Sequence, residues 1–282
     1  MSIRSVLKRG LRYIVSGVPN IIVRPQIFYS NSSGKLKGKK ILLTGGSRGL
    51  GYAMAKKFVE EGAQVIITGR KLDTLKEASE QIGCKFIVFD VTDTNKYEDL
   101  IRKAEEELGG LNVLVNNAGI SLHEPSFFDV TLESFDRQIN TNLKSDVFLS
   151  QCFIKRMIEE KREATILCVS SEVGDLADNR PYGWTKSAIN SVVRGLASNF
   201  SKEGIRINAI SPGITCSKMT GLDPKKNLYI RTNATERAYL PEEIAEVASF
   251  LISDLSGCIS GQVIVCNNGK TIYTREKIEK NG

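Results

Sequence analysis

From Ile41 onward the chain alternates short apolar runs with longer amphipathic stretches, and no other feature restricts its possible folds so far. The runs are Ile41 to Leu43, Val65 to Thr68, Phe86 to Phe89, Val113 to Val115, Ile166 to Val169, Ile207 to Ile210 and Val263 to Val265, with helical periodicity between successive ones. Strands that are apolar throughout and separated by helices pair in parallel, because each helix supplies a crossover and covers a face. The expected fold is α/β: one doubly wound sheet of about seven parallel strands flanked by helices. Its ligand crevice should open at the carboxyl ends of the strands. No internal repeat or second globular domain is visible.

Charge narrows the partners. The net charge is +7, but residues 1–40 hold nine Lys or Arg and no acid, leaving 30 basic against 32 acidic residues in the remainder. The body is thus slightly negative, and a nucleic-acid partner loses its electrostatic basis. In the arm, Ile3, Val6, Leu7, Leu11, Ile14 and Val18 form one helical stripe, with Lys8, Arg9 and Arg12 off it, before Gly17 and Pro19. A basic amphipathic segment over residues 1–18 suits an anionic membrane surface, a packing role on the body or a neighbouring subunit, or a mitochondrial transit peptide. These leave a cytoplasmic location, peripheral at a membrane, open beside a mitochondrial matrix one. Asn31-Ser-Ser-Gly-Lys-Leu-Lys-Gly-Lys-Lys40 reads as a linker, so residues 1–37 form arm and linker and 38–282 the catalytic domain. No apolar run approaches the roughly 18 residues that would span a bilayer.

Residue types exclude several chemistries. His123 is the only histidine, which removes Ser-His and Cys-His pairs and multi-His metal sites, so no metal is expected. The six cysteines show no CxxC pair, and several fall in apolar runs, as reduced core thiols do.

The first strand runs into Thr44-Gly-Gly-Ser-Arg-Gly-Leu-Gly51 and then a helix. Glycines there let backbone amides approach a pyrophosphate, and the helix N-terminus favours its charge. This is the Rossmann-type arrangement, although Gly45, Gly49 and Gly51 are spaced differently from GxGxxG. At the end of the second strand stands Thr68-Gly69-Arg70. An NAD site would carry an acid here for the ribose hydroxyls. Gly69 removes that charge, and Arg70, with Arg48 in the loop, can meet a 2′-phosphate, so the expected cofactor is NADP(H). Further on, Tyr182-Gly-Trp-Thr-Lys186 puts a phenol and an ammonium one helical turn apart. A cation beside a phenol favours the phenolate, which suits proton exchange near neutral pH.

Over about residues 38–270 the chain resembles the short-chain dehydrogenases/reductases. The resemblance rests on the glycine loop, Asp90-Val91, Asn116-Asn-Ala-Gly119, Asn142, Ser170-Ser171, Tyr182 with Lys186, and Ser211-Pro-Gly213, in that order. It implies a dinucleotide site formed by Thr44, Gly45, Ser47, Arg48, Gly49, Leu50, Gly51 and Arg70. Asp90 and Val91 would border the adenine, and Asn117, Ala118 and Gly119 the ribose. Pro212, Gly213 and Ile214 would lie along the nicotinamide, with Ser217 near the carboxamide. The implied catalytic tetrad is Asn142, Ser171, Tyr182 and Lys186. Tyr182 would protonate the carbonyl oxygen, Ser171 would bond it, Lys186 would hold the ribose, and Asn142 would keep a water in the proton path. Ser170 competes with Ser171, but Glu-Val-Gly174 favours the latter.

The chain departs from that pattern in three places. Ser171 and Tyr182 are 11 positions apart, closer than in many relatives, Ser217 replaces a threonine, and Asn267 stands where an acid is frequent. Glu172, Asp175, Asp178 and Arg180 suggest a polar pocket rim. Residues 215–240, the family's mobile substrate lid, hold Lys218, Lys225, Lys226, Arg231 and Arg237 against Asp223 and Glu236, as an anionic carrier-linked substrate or a plain solvated loop would require. The implied activity is interconversion of a ketone, or a 3-oxoacyl group as in 3-oxoacyl-acyl-carrier-protein reductases, with a secondary alcohol. A sugar-nucleotide epimerase or dehydratase, and a non-catalytic cofactor-binding membrane regulator, are the alternatives. Relatives imply a homodimer or homotetramer through residues 131–160 and 182–202.

Overall fold

The computed structural model describes residue 22 and residues 34–272, so the arm read over residues 1–18 lies outside the described residues. In chain order the elements are β1 (Lys40–Thr44), α1 (Gly49–Glu60), β2 (Gln64–Gly69), α2 (Leu72–Ile82), β3 (Lys85–Val88), α3 (Tyr97–Leu108) and β4 (Val113–Asn116). There follow α4 (Leu132–Gln138), α5 (Ser145–Glu159), β5 (Ala164–Val169), α6 (Pro181–Phe200), β6 (Ile205–Pro212), α7 (Pro241–Ile252) and β7 (Val263–Cys266). A π-helical segment, Ile139–Lys144, joins α4 to α5.

All seven strands read from the sequence are present in one parallel sheet of order β3-β2-β1-β4-β5-β6-β7. Six contain the expected run whole; the third begins one residue early and leaves Phe89 beyond its end. The Phe89 N–H still donates to Gly69 O at 2.8 Å, continuing the pairing by one bond. Winding reverses between β1 and β4, which puts a crevice between the loops that follow them.

Alternation along β1 shows how the sheet is covered on both sides. Ile41 and Leu43 join a core with Met54 and Phe58 of α1, Leu75 of α2 and Ile244 and Leu251 of α7. Leu42 points the other way, into a core with Leu100 of α3, Phe153 and Met157 of α5 and Ile189 and Val193 of α6. Full burial of such a side chain contributes about 1.5–3 kcal/mol, which favours this register over any one-residue slip. Of the cysteines, Cys168 and Cys216 are buried while Cys258 is exposed, so the expectation of core thiols holds for only part of the set.

Between β6 and α7 the chain makes an excursion whose two roots are joined. Cys216 N donates to Tyr239 O at 2.9 Å, and Tyr239 N to Ile214 O at 2.9 Å. Cys216, Leu228, Ala238 and Leu240 give the excursion a small core of its own.

Candidate active site

Four strand ends converge on the crevice. After β1, Gly45 takes φ +71°, and a Cβ there would lie 3.0 Å from Ala118 Cα. A Cβ on Gly51 would come within 2.2 Å of Gly45 O, so the loop folds back on the helix only with glycine at this position. A Cβ on Gly49 would have a single neighbour within 4 Å, Ser217 Cβ at 3.7 Å. The glycine loop and Ser217 therefore lie close to each other. The first turn of α1 has no side-chain cap and no acid, which leaves its amides for an anion, as a dinucleotide pyrophosphate needs. Leu50 packs inward against the β1 core, while Ser47 is half-buried.

Thr44 and Asn117 brace this cradle from below. Thr44 Oγ1 accepts from Asn117 N and Ala118 N, each at 3.0 Å, and Asn117 Nδ2 donates to Thr44 O at 2.8 Å and Gly45 O at 2.9 Å. Both are side chains that hold the loop rather than project from it. Asn116 turns into the core, donating to Ser150 Oγ at 2.8 Å. Arg48 and Arg70 are exposed, and neither joins an ion pair among the described residues. Asp90 is turned on itself, accepting from Thr92 N at 3.0 Å, and Val91 O accepts from the buried Tyr97 hydroxyl at 2.6 Å.

The tetrad residues come from three elements. Asn142 is fully buried in the π segment, a local widening that recurs at functional sites. Its Oδ1 accepts from Ile120 N and its Nδ2 donates to Ile120 O, both at 2.8 Å. Pro181 opens α6 at a position where its missing N–H costs nothing, and sets Tyr182 and Lys186 on one face. Lys186 Nζ donates to Val169 O at 2.8 Å and lies 5.7 Å from the Tyr182 ring centroid. A Cβ on Gly119 would be 3.5 Å from Asn142 Oδ1 and 3.7 Å from Lys186 Nζ, so these three positions meet at one point.

Hydrogen bonding separates the two serines. Ser170 is buried and donates to Asn190 Oδ1 at 2.6 Å, a bond that anchors α6 to β5. Ser171, half-buried and extended at φ −163°, makes no side-chain hydrogen bond among the described residues. Its hydroxyl is the one left available.

Of the four charges expected at the rim of the short loop before α6, one turns inward and three stay at the loop. Asp175 accepts from Asn190 Nδ2 at 3.0 Å, and Asp178 accepts from Arg180 Nε at 3.1 Å. Trp184 Nε1 donates to Asp178 O at 2.8 Å, and Asp178 packs so closely on α6 that a Cβ on Gly183 would come within 2.4 Å of its side chain. Glu172 is buried, its Oε1 2.6 Å from Lys270 Nζ and its Oε2 accepting from Asn267 Nδ2 at 3.1 Å. Glu172 alone is taken inside the protein, by partners far along the chain; Asp175 is exposed beside Asn190, and Asp178 pairs with Arg180 within the loop. A cleft of about 550 Å³ is lined by Val173, Leu176, Ala177, Asp178, Asn179 and Arg180 of this loop. Within the excursion, Arg237 is paired in bidentate fashion with Glu243, at 2.8 and 2.6 Å, while Lys218, Lys225, Lys226 and Arg231 are exposed.

Sequence reading missed Asp146. It lies one turn beyond Asn142, is buried beside Cys168 and the Tyr97 ring, and feels the Lys186 charge. Burial pushes its carboxyl up from 3.8 to about 7, against the attraction of Lys186 and a bond from Ser145. The signal was the spacing of Asn142, Asp146 and Ser150, every fourth residue on one helix face.

The family model for enoyl-(acyl carrier protein) reductase matches residues 45–271. The chain is similar to the 3-oxoacyl-(acyl-carrier-protein) reductase of Thermotoga maritima, with 34% identity over 84% of this chain and 100% of that protein. It is similar to L-rhamnose 1-dehydrogenase (NADP(+)) of Thermoplasma acidophilum, with 32% identity over 84% of this chain and 97% of that protein. Its fold matches a solved short-chain type dehydrogenase/reductase from Mycobacterium marinum at a TM-score of 0.77 and 27% identity, covering 85% of this chain and 98% of the other.

Proposed function

The chain belongs to the short-chain dehydrogenase/reductase family, and from that premise we propose that it is an NADP(H)-dependent reductase of a ketone or 3-oxoacyl group, or the reverse alcohol dehydrogenase. Activity on an alcohol or ketone follows from the family itself. The finer reading rests on one observation above others: the Lys186 ammonium stands 5.7 Å from the Tyr182 ring while Ser170 is engaged and the Ser171 hydroxyl is left over.

The uncapped N-terminus of α1, the glycine cradle and the facing Ser217 fit a dinucleotide. Arg70 and Arg48 would hold its 2′-phosphate, Lys186 its nicotinamide ribose, and Pro212 to Ile214 would support the ring. When bound, that group supplies or removes the hydride. Tyr182 gives its proton to the carbonyl oxygen, and Ser171 donates a hydrogen bond to the same oxygen as negative charge develops on it. Lys186, held by Val169 O, keeps positive charge beside the phenol. Asn142 fixes the Ile120 backbone at the wall of this chamber.

The four exposed cations of residues 215–240, which act as the substrate lid in this reading, favour an anionic carrier-linked substrate. The exposed Leu132, Phe148 and Ile158 on α4 and α5 give a second copy an apolar surface for a homodimer. NADPH consumption measured over ketones, acetoacetyl thioesters and keto sugars should identify the substrate. Tyr182→Phe should lower kcat by about 10²–10⁴-fold. Activity that survives this change would overturn the assignment of the proton donor.

A further inference from the structure

Glu172 follows Ser171 directly, yet its carboxylate points under the site rather than toward it. It is 4% exposed, and its Oε2 would lie 3.2 Å from a Cβ on Gly213. The same Cβ would meet Asn267 Cβ at 3.0 Å and Tyr239 Cε2 at 2.7 Å, so Glu172, Asn267 and Tyr239 form the tight bed on which Gly213 rests. Lys270 Nζ meets Glu172 Oε1 at 2.6 Å and Asn233 Oδ1 at 3.2 Å. Asn233, itself buried, donates to Arg237 O at 2.7 Å. One ion pair thus joins the floor of the site, the base of the 215–240 excursion and the segment after β7.

The departure at Asn267 has its reason here. A carboxylate at 267 would put a second negative charge against Glu172, whereas the amide donates to it at 3.1 Å.

We propose that the Glu172–Lys270 pair balances the charge beneath Gly213 and thereby sets the relative affinity of the site for oxidised and reduced nicotinamide, with Glu172 as a positioning residue. The proposal rests on the reading that the nicotinamide lies along Pro212 to Ile214. An oxidised nicotinamide ring bears a positive charge that the reduced ring lacks, and an unbalanced charge in a buried site discriminates between them. Breaking the pair from either side therefore has opposite effects.

The test is the dissociation constant of the full chain for NADP⁺ and for NADPH, each titrated by fluorescence. Glu172→Gln leaves Lys270 unbalanced and should move the ratio toward NADPH by about fivefold or more, while Lys270→Met should move it about as far toward NADP⁺. Lys270→Arg keeps the charge and should keep the wild-type ratio. A purely structural pair would weaken both forms equally. Ratios that stay fixed, or move in the same direction in both variants, overturn the proposal. Should Glu172→Gln fail to fold, Lys270→Met, altering a partly exposed side chain, decides alone by the direction of its shift. Wild-type protein that binds neither dinucleotide would instead overturn the reading of the site.

Discussion

At the scale of single residues, the chemistry turns on which polar groups are already engaged. Ser170 is held by Asn190, Thr44 by two amides and Arg237 by Glu243, so none of them is free for a ligand. Among the described residues, Arg48 and Arg70 have no such partner ion. Arg70→Ala should therefore weaken NADPH roughly 10-fold or more and leave NADH unchanged, since a charge-assisted phosphate contact is worth about 1.5–3 kcal/mol. Equal binding of both cofactors before and after the change would refute the NADP(H) preference. Asp146 gives a pH effect of definite sign. Its folded carboxyl titrates at about 7 instead of 3.8, so the folded state holds the proton more tightly than the unfolded one. Stability then falls as pH rises through this window, and the cost is complete above it. Asp146→Asn, neutral throughout, should raise the melting temperature more at about pH 8 than at about pH 5. A difference independent of pH would show that Asp146 does not titrate there.

At the scale of elements, the strands and helices were legible because their signals are local. Seven apolar runs, the glycine loop and the Tyr182 to Lys186 turn each lie within a few consecutive residues. What was misread depends on distant partners. Glu172 looked like a rim residue because nothing near it in sequence announces Lys270, 98 positions away. Asp146 was passed over because a single acid on an amphipathic helix ordinarily faces water. The π segment was also invisible, since its sequence, Ile139 to Lys144, is compatible with a continuous helix. The glycine loop allows a sharp test at this scale. Gly51→Ala would drive a methyl to within 2.2 Å of Gly45 O, backbone against backbone, so the loop must open. NADPH affinity should fall at least about tenfold, a loss of roughly 1.4 kcal/mol or more in binding. Fluorescence titration together with a thermal melt would separate this from general unfolding.

At the scale of the whole molecule, four neighbouring strands bring residues far apart in sequence to one end of the sheet: Gly45 follows β1, Asn117 follows β4, Ser171 follows β5, and Gly213 follows β6. The body carries its charges nearly in balance, and the basic excess belongs to residues 1–40. If residues 1–18 hold the protein at an anionic surface, the full chain should float with anionic liposomes and a chain lacking residues 1–34 should not. Flotation of both would move that contact to the body. The bed under Gly213 has a further meaning for biosynthesis. Asn267 and Lys270 both lie just beyond the last strand, so a nascent chain displays its glycine loop and its tyrosine well before the floor exists. Emergence from the ribosome therefore completes the chamber last at the place where the redox group would rest, and a chain cut short at β7 would keep its proton donor without a finished seat for its cofactor.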